Sequence, residues 1–128
     1  MNNALADVRV EILRVTDDSG YPTFIEFSLT DKDGRRHIFR DKLPIVSAED
    51  EVQPPCGGLL RCHIIGETDK TYMIDTSFPD YVESVDEQYI FEVAKELIII
   101  SWTAGRGLAP ARTEKYRGNK NENSQDDR

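Results

Sequence analysis

The chain has 128 residues, of which 38% are hydrophobic and 31% charged, and its formal net charge is −8. That length suits one domain with a core of useful size. The longest largely apolar run, residues 97–102, is far too short to cross a bilayer as a helix. An acidic balance works against nucleic-acid phosphates, which attract clustered Lys and Arg.

The start, Met1 to Asp7, lacks the basic patch and apolar core of a secretory leader. The expectation is therefore a cytoplasmic, non-membrane protein. Two cysteines, Cys56 and Cys62, decide nothing about compartment. The charge is unevenly spread. Residues 1–102 hold 10 basic and 20 acidic side chains, giving −10, and residues 103–128 hold 6 and 4, giving +2.

In chain order, residues 1–4 read as a frayed start. From Leu5 the pattern is that of a strand: Val8, Val10 and Ile12 alternate with Arg9 and Glu11. Leu13 and Val15 then move the apolar positions to the other parity, as a β-bulge would. Residues 17–22 form a turn around Gly20. A second strand places Ile25, Phe27 and Leu29 on one face. Residues 31–34, Asp-Lys-Asp-Gly, are a hairpin signal. Its return arm, residues 35–40, puts His37 and Phe39 opposite to Ile38.

Pro44 lacks a backbone donor, so residues 43–46 read as an edge or as a crossing segment whose Leu, Ile and Val plug the core. Residues 47–51 open like a helix but soon meet Pro54-Pro55, which predicts one helical turn or a plain loop. Gly57-Gly58 reads as a turn, because neither a Gly-Lys-Ser motif nor a helix follows it.

Residues 58–76 form the best-defined hairpin. Leu60, Cys62 and Ile64 share one face of the first arm, and Tyr72, Ile74 and Thr76 share one face of the second. An aromatic loop and a polar stretch follow, to residue 88. Tyr89, Phe91 and Val93 then alternate. Between these residues and the strand-like Ile98-Ile99-Ile100 run, residues 94–97 leave two readings open, a tight hairpin break or one long bent strand. Residues 103–128 carry too few apolar groups to offset their ordering entropy and are expected to be a disordered tail.

About six short strands with no amphipathic helix to cross between them argue for an all-β domain over residues 1–102. The expected form is a small antiparallel barrel of the SH3-like, OB-like or translation-factor-like kind.

The chemistry-bearing residues are few. Cys56, Cys62, His37 and His63 are the candidate metal ligands, but the cysteine spacing is not that of a zinc site, and Cys62 and His63 fall on opposite faces of one strand. The chain therefore points to no metal and no cofactor. Asp75 is a candidate general base only if burial raises its pKa, and the commoner role is to accept bonds from the following loop. Ser47, Ser77 and Ser84 lack the glycines of a nucleophile elbow.

Three functions follow in order. The first is a non-catalytic binding module for a basic protein, with the charge logic of inhibitors and immunity proteins. Its contact is placed at Phe78, Asp80, Tyr81, Glu83, Asp86 and Glu87, where aromatics supply area and acids supply steering. The second is a nucleic-acid-binding barrel using Arg35, Arg36, Phe39 and Arg40, with bases stacked on the aromatic side chain. The third is a small metal-dependent enzyme.

Overall fold

A computed structural model describes residues 4–100 of the chain. Seven strands form one antiparallel sheet: β1 (Ala4–Asp17), β2 (Phe24–Thr30), β3 (Arg36–Lys42), β4 (Cys56–Glu67), β5 (Thr71–Asp75), β6 (Ile90–Ala94) and β7 (Ile98–Ile100). The order is β3-β2-β1-β4-β5-β6, and β7 pairs with β1. The sheet is curled into a small, half-closed barrel. Among the described residues no helix is long and apolar enough to cross a membrane.

The fourteen-residue β1 makes the curl possible, because its two halves serve different partners. Residues 4–12 pair with β4 along one edge, while the other edge pairs with β7 at Ala6 to Val8 and with β2 from Glu11 onward. The β1–β2 register slips between Ile12 and Arg14 and again between Val15 and Asp17. These are the irregularities that the parity change predicts. The extra residue lets Val8, Val10 and Ile12 be buried while Val15 still packs against the core.

The β2–β3 hairpin turns at Gly34, whose φ of +83° suits a residue without Cβ. Asp31 Oδ1 accepts bonds from the amides of Asp33 and Arg35 and fixes the turn. Ile25, Phe27 and Leu29 are buried, and Phe39 stacks on Phe27 at 4.9 Å and 5°. Such a pair adds about 0.5–1.5 kcal/mol beyond its burial.

Residues 43–46 do cross and plug the barrel end. A 3-10 turn over Leu43–Ile45 buries Leu43, and Val46 follows it inside. The next residues form a loop. Gly57 and Gly58 do not make the expected turn. They lie inside β4, opposite Glu11 and Val10. Gly58 is glycine because of close approach: a Cβ there would stand 2.9 Å from the Val46 carbonyl oxygen and 3.2 Å from Val46 Cβ.

The β4–β5 hairpin follows its alternation, with Leu60, Cys62, Ile64 and Ile74 inward. After β6 a 3-10 turn over Lys95–Leu97 carries the chain to β7. This is neither a hairpin nor one bent strand, since β6 pairs with β5 and β7 with β1. The predicted tail, residues 103–128, lies outside the described residues.

Candidate functional site

The segment between β5 and β6 is the largest loop bearing exposed apolar side chains. Among the described residues eleven large hydrophobics are exposed, and five of them are Phe78, Tyr81, Val85, Tyr89 and Ile90. No Lys or Arg occurs between Lys70 and Lys95, whereas Asp75, Asp80, Glu83, Asp86, Glu87 and Glu92 do. Three exposed aromatics, Phe78, Tyr81 and Tyr89, therefore share one loop with Asp80, Glu83, Asp86 and Glu87.

The loop is held firmly. Its neck closes where the Thr76 amide donates to the Tyr89 carbonyl at 2.8 Å. The buried Thr76 hydroxyl donates to the Val82 carbonyl at 2.8 Å, and the Val82 amide donates back to the Thr76 carbonyl at 3.1 Å. Val82 and Ser84 point inward and are buried. Ser84 Oγ accepts the amides of Asp86 and Gln88 at 3.2 and 3.1 Å. Tyr81 and Glu87 hold left-handed φ values of 57° and 64°. Each such residue costs about 1 kcal/mol or more, which these bonds offset.

The six loop residues named from the sequence fall into two groups. Phe78, Asp80 and Tyr81 lie beside β4. Phe78 rests edge-on against His63 with ring centres 4.4 Å apart, and Asp80 takes a two-pronged contact from Arg61 at 3.0 and 3.2 Å. Tyr81 is 82% exposed and Phe78 48%. Asp86 and Glu87 sit at the other end, where the Val85 amide donates to the Ile38 carbonyl of β3. Glu83 is exposed between the two groups. Asp80 is thus partly neutralised, while Glu83, Asp86 and Glu87 have no ion pair among the described residues.

Next to the second group, a shallow groove of about 370 Å³ separates β6 from the β2–β3 hairpin. Asp31, Asp33, Tyr89 and Glu92 line it, and the Lys32 amide crosses it to the Glu92 carbonyl. His37 Nε2 lies 2.8 Å from Asp31 Oδ2. Burial pushes the Asp31 carboxyl up, but bonds from His37, Arg35 and Asp33 outweigh this and leave it below the usual carboxylate range. Tyr89 and Ile90 are both exposed, which strand alternation alone does not reveal because it does not say which face is covered. The run without a basic residue was the legible signal.

The nucleic-acid reading needs correction at Phe39. Its ring is fully buried against Phe27 and Phe91, so no base can stack on it. Arg36 pairs with Glu11 at 3.2 Å and Arg40 with Glu26 at 3.4 Å, while Arg35 is exposed.

The metal and acid–base candidates are dispersed. Cys62 faces the core, and burial pushes its thiol up to about 12, with Asp7 and Asp75 adding to the effect. His63 faces outward against Phe78. Cys56 is half-buried at the start of β4. Among the described residues no group of three or more His, Cys, Asp or Glu side chains is arranged to hold a metal ion. Asp75 Oδ1 accepts both the amide and the hydroxyl of Ser77, at 2.8 and 2.6 Å, which is a loop-fixing role.

No protein-family model, no curated protein and no solved structure matches this chain.

Proposed function

We propose that the protein is a non-catalytic binding module that recognises a basic protein partner, in the manner of an inhibitor or immunity protein. The reading is supported chiefly by one observation: the run from Thr71 to Ala94, which has no basic residue, carries five of the eleven large hydrophobics exposed among the described residues. Exposed aromatics on a hydrogen-bonded loop lose little freedom on binding, and the unpaired acids around them speed and orient the encounter.

The contact comprises Phe78, Tyr81, Glu83, Asp86 and Glu87, with Asp80 holding the loop against Arg61. Tyr81 and Phe78 are the anchors. A tagged wild-type chain is expected to retain basic proteins from an extract of its own cells, more weakly as salt rises. A Phe78→Ala/Tyr81→Ala variant should lose about tenfold or more in affinity for them. A variant that keeps the same set of proteins at unchanged strength would sink the reading.

A further inference from the structure

A second groove, of about 590 Å³, lies beside β4 between residues 44–49 and the start of the aromatic loop. Its floor is an incomplete sheet edge. β4 pairs with β1 from Cys56 to Ile64, but β5 reaches only as far as His63, opposite Asp75. The ladder ends at Asp75, so among the described residues no strand pairs with β4 at Arg61 on that edge. The Leu59 amide is occupied, donating to the Val46 carbonyl at 2.9 Å. Because backbone groups alternate across an antiparallel ladder, that bond fixes which edge the odd-numbered residues face. The Arg61 N–H and C=O and the Leu59 C=O point the same way, towards the edge that β5 leaves at His63, and no loop backbone group among the described residues bonds them there.

The groove's side chains add a charge preference. Its walls are apolar at Ile45, Val46 and Leu59, and it holds Asp7, Glu49 and Asp80 against the single guanidinium of Arg61. Arg61 is already committed to Asp80. Neither Asp7 nor Glu49 has an ion pair among the described residues. Burial pushes the Asp7 carboxyl above the usual range, and the neighbouring Arg61 only partly pulls it back.

We propose that this slot takes an extended, basic segment of the protein partner as an added strand on β4, with a Lys or Arg of that segment against Asp7 and Glu49. Strand addition supplies main-chain bonds to Arg61 and Leu59, and alternate side chains supply selectivity. The proposal rests on the basic partner inferred above and says how part of it is held.

The probe is a blocked pentapeptide, Lys-Val-Lys-Val-Lys, added to the full chain labelled with nitrogen-15. The Arg61 amide is expected to exchange with solvent about tenfold more slowly in its presence. A Lys-Pro-Lys-Pro-Lys peptide has the same charge but cannot pair as a strand, and should leave that exchange unchanged. An Asp7→Asn/Glu49→Gln variant should bind the first peptide about fivefold more weakly. Equal protection by the proline peptide, binding without slowed Arg61 exchange, or no binding at millimolar peptide would each overturn the proposal. So would Arg61 protection that grows with protein concentration alone, which would place a second copy in the slot. Peptide binding is read at β4 and partner retention at Phe78 and Tyr81, so failure of the slot and failure of the partner reading give different results.

Discussion

Two adjacent glycines should respond to the same substitution in opposite directions. At Gly58 an added Cβ would meet the Val46 carbonyl oxygen at 2.9 Å, Val46 Cβ at 3.2 Å and Ile12 Cδ1 at 3.4 Å. The first of these is backbone and cannot rotate aside. Moving it strains the Val46–Leu59 hydrogen bond and the buried Val46 side chain that plugs the barrel end. Overpacking of this kind costs about 1–3 kcal/mol. At Gly57 nothing lies within 4 Å of the added carbon, and neither glycine has a positive φ. Gly57→Ala therefore removes only unfolded-state freedom and should be neutral or stabilising by roughly 0.4–1 kcal/mol. Thermal unfolding of the two single variants beside wild type is the assay. At about 5 °C per kcal/mol for a body of this size, Gly58→Ala should lower Tm by roughly 5–15 °C while Gly57→Ala holds or raises it. Equal Tm values for the two variants would refute the packing argument.

Thr76→Val keeps the buried shape but removes the hydroxyl that donates to the Val82 carbonyl. It should cost about 1–3 kcal/mol in denaturant unfolding and open the loop to protease near Tyr81. Cys62, fully buried with its thiol raised to about 12, should resist a thiol-specific disulfide reagent at pH 8 until the chain is unfolded, while the half-buried Cys56 reacts in the native state. Equal rates for both would contradict the burial. Asp31 has a lowered pKa, so its contribution to stability is fully present above the ordinary carboxylate range and is lost as pH falls through the lowered value. The stability gap between wild type and Asp31→Asn should therefore be widest above about pH 5 and close in stronger acid, as followed by unfolding at a series of pH values.

Local chemistry made much of the sheet legible. Asp31 and Gly34 mark the β2–β3 turn because they serve backbone groups within a few residues. The change of parity after Ile12 marks a bulge for the same local reason. The alternation of Leu60, Cys62 and Ile64 marks the inner face of β4. The aromatic and acidic character of the residue 78–87 loop was likewise visible. Its division into Asp80, paired with Arg61, and Glu83, Asp86 and Glu87, without an ion pair among the described residues, was not, because Arg61 comes from another strand.

The sequence by itself determined that this chain alternates into strands, where it turns, and where its negative charge and aromatic side chains gather. Those properties depend on residues near one another along the chain, where backbone geometry and side-chain period act directly. Only the tertiary structure decided that β7 crosses to β1, that Phe39 lies inside, that Gly58 admits Val46, and that no strand among the described residues covers the β4 edge at Arg61. Each of these depends on segments far apart in sequence meeting when the sheet curls, and no local pattern encodes which distant surface will arrive.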